Sequence, residues 1–207
     1  MHLQLRPNFK FRACSWGPVQ GWVVNDLFQH PGQVLRYFRG RSSPLWKQAQ
    51  QPSLNGHLFQ DRRQQLRDPA LMDLDQQIHD LTGQRAIEDH TVCTNQTKFQ
   101  NHEYNHRYRD HYWYPHLDQG WTAIVYFDRD STNIYQPADH MDPLLTQGLP
   151  EHADPWRPQR YWHKVAEIGG DVNQLVLFNA GQWYHGMNIT DTKYFTAYRF
   201  NLCLFYA

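Results

Sequence analysis

The chain has 207 residues, enough to bury a core and most simply read as a single domain, 1–207. Its 20 basic and 20 acidic residues balance to +0 with no basic block, so nucleic-acid binding has no electrostatic basis. A mean hydropathy of -0.80 and no long apolar run argue against a membrane span.

Met1-His-Leu-Gln-Leu-Arg6 lacks a charged segment followed by an apolar one, so no secretory signal is expected. Cys14, Cys93 and Cys203 lie far apart and form no CxxC pair. A reduced, cytoplasmic protein is the simpler expectation. There are 13 histidines, but a metal site uses only two or three, so their number alone points nowhere.

In chain order, the N-terminal part, 1–86, reads as a helical and irregular layer. Asn25-Asp26 is expected to cap a short helix through Phe28. Gln33 to Arg39, with Val34, Leu35, Tyr37 and Phe38, predicts a helix ended by Gly40. Arg41 to Gln60 has prolines and no period, and reads as loop. Asp68-Pro69 opens a better helix, with Leu71, Leu74, Ile78 and Leu81 at helical spacing and Gly83 as its stop. Such a stripe points to packing against a sheet.

From Ile87 the pattern turns to strands: Thr91 to Phe99, Tyr108 to Leu117, Thr122 to Phe127, Thr132 to Gln136, Val172 to Asn179, Trp183 to Asn188 and Phe195 to Tyr206. Many short strands after a helical layer predict a mainly β protein, a sandwich or barrel backed by N-terminal helices. Pro137 to Ile168 interrupts the series with five prolines and the aromatics Trp156, Tyr161 and Trp162. It reads as an insertion, either a lid over a site or a passive segment packed by its own aromatics.

The strongest chemical signal is His116-Leu117-Asp118, with His185 far downstream and Arg199 beyond it. Two histidines and one carboxylate can occupy one face of an octahedral Fe(II) and leave the other face open. Ligands at i and i+2 suit a strand, where alternate side chains share a face. His185, in Gln182-Trp-Tyr-His-Gly-Met-Asn188 after a buried strand and a glycine turn, would lie near a barrel mouth. On the terminal strand, Arg199 shares a face with Ala197, Asn201 and Cys203, and its planar fork suits a carboxylate. Tyr126 could share that carboxylate or be a plain core tyrosine. Tyr112 and Tyr114 have the strand parity of His116, so they either line the cofactor or substrate pocket or fill it.

His116-Leu-Asp118, His185 and Arg199 together resemble the HxD…H…R pattern of Fe(II)/2-oxoglutarate-dependent oxygenases. Pro115-His-Leu-Asp118 followed by Thr122-Ala-Ile-Val-Tyr-Phe127 is most similar to the prolyl-hydroxylase-like branch. Ser131 to Tyr135, Asn173 to Gly181 and Trp183 to Gly186 resemble a little-characterised bacterial and phage group within it. The resemblance covers about Tyr104 to Ala207. It implies a double-stranded β-helix, the cupin-like jelly-roll barrel, over 87–207 with a 137–168 insertion. It also implies His116, Asp118 and His185 as iron ligands, and 2-oxoglutarate held by Arg199 and Tyr126. The implied activity is hydroxylation of a C–H bond in a peptide or small molecule, with O2 as co-substrate. Asp118 itself argues against halogenation, which needs a small residue there. Two features depart from the branch: Asn188 to Tyr194 lengthens the His185–Arg199 interval, and its Arg-x-Ser is Arg199-Phe200-Asn201 here. A cupin-like metal-binding protein, or a cupin-type metalloenzyme that does not use 2-oxoglutarate, is the other reading of the same triad.

Overall fold

The computed structural model describes residues 3–40, 47–49, 61–65, 68–87, 91–94, 109–139, 156–189 and 199–207. The N-terminal part opens with a hairpin, contrary to the helical layer expected there. β1 (Arg12–Trp16) and β2 (Val19–Val24) pair antiparallel about Gly17-Pro18. Gly17 has φ +58. A positive φ followed by proline's fixed negative one suits a type II′ turn, whose twist matches a two-residue hairpin.

There follow α1 (Pro31–Gly40), β3 (Lys47–Ala49), β4 (Asp61–Gln65), α2 (Pro69–Thr82) and β5 (Thr91–Thr94). The remaining strands are β6 (His111–Trp113), β7 (Trp121–Tyr126), β8 (Ser131–Pro137), β9 (Trp156–Pro158), β10 (Trp162–Gly169), β11 (Gln174–Phe178), β12 (Tyr184–Met187) and β13 (Asn201–Tyr206). The protein is mainly β, with antiparallel sheets arranged as a β-sandwich. One sheet runs β1-β2-β11-β7-β13 and the other β10-β8-β12. β3-β4-β5 and β6-β9 form two smaller sheets.

Both faces of the five-stranded sheet are covered, so β7 and β11 lack the polar alternation of a half-exposed strand. Ile124, Tyr126, Val176, Phe178 and Cys203 face inward and pack with Ile134 and Ile168 of the second sheet. Ala123, Val125, Leu175, Leu177, Leu202 and Leu204 face outward, onto Leu71, Leu74 and Ile78 of α2. That helix begins where the sequence predicts. Asp68 caps it by accepting from the Ala70 amide at 3.0 Å, and Gly83 ends it in the left-handed conformation. Leu81, read as part of the buried stripe, is exposed instead. Tyr206 ties β13 to the helix by donating to Asp75 at 2.6 Å. Among the described residues, no helix is long and apolar enough to cross a membrane.

Three further expectations change. Asn25 to Phe28 forms no helix: Asp26 has φ +55, and the Asn173 side chain bonds both the amide and the carbonyl of Phe28 at 2.9 Å. A long-range pairing replaces the local cap. The segment 137–168 is not one inserted loop, because Trp162–Gly169 is a full strand paired with β8 through a bulge between Lys164 and Ala166. Its run of charged and small residues hid it, since only Ile168 and Trp162 are buried along it. The stretch Arg41 to Gln60 includes the strand Lys47–Ala49. The rest of that stretch, the parts of the predicted strands over 95–99 and 195–198, and residues 140–155 lie outside the described residues.

Candidate metal centre

β6 ends at Trp113, and Tyr114 takes φ +37. The segment is therefore not the continuous strand that the i, i+2 spacing suggested. The backbone returns to pairing at a single point: His116 and His185 form an isolated antiparallel bridge, with amide–carbonyl bonds of 3.0 and 2.9 Å. Directly opposed residues project to the same side, and the two imidazoles lie 4.4 Å apart between centroids.

This crossing depends on Gly186. A Cβ there would lie 2.1 Å from the Trp113 carbonyl oxygen, so the chain before His116 passes where only glycine permits. Asp118 is fixed separately. Its amide donates to the Ala180 carbonyl at 3.1 Å, and the next turn is pinned by Gly181 donating to Gly120 at 2.7 Å. Asp118 thus meets the histidines through the turn after β11.

The side chains complete a ligand set. His116 Nε2 lies 3.6 Å from Asp118 Oδ1, and His185 Nε2 lies 3.3 Å from Asp118 Oδ2. One ligand atom from each residue falls within 4.8 Å of the other two, so the three can hold a metal ion. Each Nδ1 faces a backbone carbonyl, Tyr114 at 2.7 Å for His116 and Trp183 at 3.2 Å for His185. A carbonyl only accepts, so Nδ1 carries the proton and Nε2 keeps its lone pair for a metal. Thr122 donates to Asp118 Oδ2 at 2.8 Å and orients the carboxylate. The edge-on ring of Phe178 backs His185.

Burial alone would raise the Asp118 carboxyl. Without a metal, and with Nε2 protonated as well, His185 by hydrogen bond and charge, His116 by charge, and the Thr122 hydroxyl outweigh it and hold Asp118 well below the usual carboxylate range. The anionic form that a metal needs is thus favoured. The centre is half-open: the side chains of His116 and Asp118 are 29% and 18% exposed, that of His185 only 6%.

Arg199 and Tyr126 come together as expected, at the far end of β7. Thr122 and Tyr126 are four residues apart on one face, about 13 Å along the strand. The Arg199 guanidinium carbon lies 5.8 Å from the Tyr126 ring centroid. Arg199 is 2% exposed, precedes β13, and donates through Nη2 to the Ser131 carbonyl at 3.0 Å. Asp130, also buried, lies 3.8 Å from its Nε.

The Tyr126 proton is already donated to Thr132 Oγ1 at 2.8 Å, and burial pushes the phenol well above its usual range. Its ring is closed in by Gly169, where an added Cβ would sit 2.4 Å from it. Tyr126 therefore acts first as a wall. Thr132, beside it, is the group the sequence reading missed, along with Thr122 and Asp130. The signal for Thr132 was strand parity on β8, which it shares with Ile134, a residue packed with Tyr126. Nothing in the sequence marked Asp130.

Tyr112, Tyr114 and His116 do not keep the shared strand parity expected of them, since β6 ends at Trp113. The positive φ at Tyr114 breaks the parity. Tyr114 stacks beside His116, with centroids 4.7 Å apart. Tyr112 packs on Tyr135 at 4.5 Å, on the face of β8 opposite Ile134. Tyr112 also lines a separate pocket of about 230 Å³ with Trp113, Asn133, Trp156 and Lys164. A scan against protein-family models gives no match to the chain, and no curated protein matches it.

Proposed function

We propose that this protein is an Fe(II)- and 2-oxoglutarate-dependent oxygenase that hydroxylates a C–H bond of a peptide or small-molecule substrate. The observation that carries the reading is the convergence of two Nε2 atoms and one carboxylate at a half-open position, each imidazole already set in the metal-binding tautomer. The strand order supports a double-stranded β-helix. β7, β11 and β13 fall in one sheet and β8, β10 and β12 in the other, so the chain passes repeatedly between the two.

In this reading His116, Asp118 and His185 hold the iron, and Arg199 anchors the distal carboxylate of 2-oxoglutarate. Iron with O2 and 2-oxoglutarate would supply the oxidising chemistry, the cosubstrate leaving as succinate and CO2. The chain's own part is positional. Thr122 orients Asp118. The carbonyls of Tyr114 and Trp183 keep both imidazoles facing the metal. Tyr126, Ile124 and Ile134 form an apolar wall that excludes water between the metal and Arg199.

A cupin-like metalloprotein that does not use 2-oxoglutarate is the second reading. It is favoured by one observation, the Asp130 carboxylate already facing Arg199. The two readings separate on one assay. Purified protein loaded with Fe(II) should form succinate from 2-oxoglutarate, even uncoupled, and Asp118→Ala should not. A fully loaded protein that forms none fails the oxygenase reading and leaves the metalloprotein.

A further inference from the structure

We infer that Asp130 is the resident counter-ion of Arg199 and sets which 2-oxo acid binds at that arginine. This rests on the reading of Arg199 as the cosubstrate anchor.

Arg199 and Asp130 are 2% and 7% exposed, and a charge so buried requires an opposite charge nearby. The contact is an incomplete one. Nε stands 3.8 Å from Oδ2, beyond hydrogen-bond reach, and has no hydrogen-bond partner among the described residues. Among the described residues, Nη2 donates to the Ser131 carbonyl. The arginine's charge is therefore compensated while its donor fork stays open on one edge.

Asp130 sits on an anchored piece of backbone. It ends the turn between β7 and β8, and the next carbonyl, Ser131, accepts from both Arg199 Nη2 at 3.0 Å and the Asn188 amide at 3.1 Å. A ligand carboxylate arriving at the fork would then share one cation with a second carboxylate, and the two repel. A 2-oxo acid with an uncharged tail meets no such repulsion. Asp130 is thus a specificity-determining residue: it lowers the preference for a diacid that Arg199 alone would give.

The test compares 2-oxoglutarate with 2-oxobutyrate, which has the same keto-acid end and a neutral tail. Calorimetric titration of Mn(II)-loaded protein would be run on wild type, Asp130→Asn and Asp130→Glu. Asp130→Asn should tighten 2-oxoglutarate roughly tenfold or more, because removing a like-charge neighbour removes a large penalty. It should leave 2-oxobutyrate unchanged, and Asp130→Glu should behave as wild type. If Asp130→Asn does not load metal, Asp130→Ser takes its place and is judged the same way. A loaded variant that binds 2-oxoglutarate no tighter than wild type overturns the inference and leaves the oxygenase reading intact. Loaded wild type and variants that all bind neither acid overturn both.

Discussion

The two ends of the inner face of β7 solve opposite problems. At the Thr122 end, three ligand atoms converge at a half-open position and every supporting group is in place: two backbone carbonyls, one hydroxyl and one bridging pair of amides. At the Tyr126 end, a buried cation is balanced within the protein by Asp130, yet its fork is only partly bonded. The first end is organised to receive a charge that the protein lacks. The second already contains both charges. A metal site tolerates exposure because its ligands are neutral or singly charged. An arginine tolerates burial only with an opposite charge nearby, so Arg199 is met by Asp130, and any ligand must compete with it.

The largest expected effect breaks the second end. Arg199→Ala removes one partner of a buried ion pair, which typically costs about 3–5 kcal/mol. Urea unfolding should show this loss while metal binding, about 13 Å away along the strand, is unchanged. A loss below about 1 kcal/mol would mean the pair behaves like a surface contact.

Removing a ligand breaks the first end. Asp118→Ala or His185→Ala should weaken Mn(II) or Co(II) binding by more than about 100-fold, since loss of a merely supporting partner already costs 10–100-fold. Stability without metal should fall far less than in Arg199→Ala. Equal metal content in wild type and both variants would remove these residues from the site.

A smaller change sharpens the comparison. Thr122→Val keeps the shape of a buried side chain and deletes its bond to Asp118. Metal affinity should fall by roughly tenfold, the low end for an orienting partner, while 2-oxo acid discrimination stays as in wild type. Undiminished affinity would show that Asp118 needs no such support.

The smallest effect is pH-dependent and is read without metal. The Asp118 carboxyl is depressed in the folded protein. Its contribution is therefore present above the ordinary carboxylate value of about 3.9 and is lost as pH falls through the lower folded value. The stability difference between wild type and Asp118→Asn should be greatest in mildly acidic solution, where imidazoles charge, and close below about pH 3.9. A difference that grows on acidification there would contradict the depressed value.

The sequence by itself determined α2 to the residue at both ends, because Asp68-Pro69 and Gly83 are local signals that act within one turn of the helix. It also determined that Thr122 and Ile124 share the face of Tyr126 on β7, because the two-residue period is a property of the strand alone. The three residues that can hold a metal, His116, Asp118 and His185, were legible as residue types in a recognisable pattern. What joins them was not legible. His116 and Asp118 do not lie on one strand. They meet because an isolated bridge to His185 and a contact with the turn at Ala180 hold them from different directions. Likewise β1 and β2 were hidden by Gly17, Pro18 and Gly21, residues that usually break strands. Here Gly17-Pro18 is the turn, and a Cβ at Gly21 would lie 2.1 Å from the Leu177 carbonyl oxygen. Asp130 had no signal at all, since a carboxylate in a turn is ordinarily a solvated one. Only tertiary structure decided that it would be buried against Arg199, because burial and pairing of charges depend on what the rest of the chain places around them.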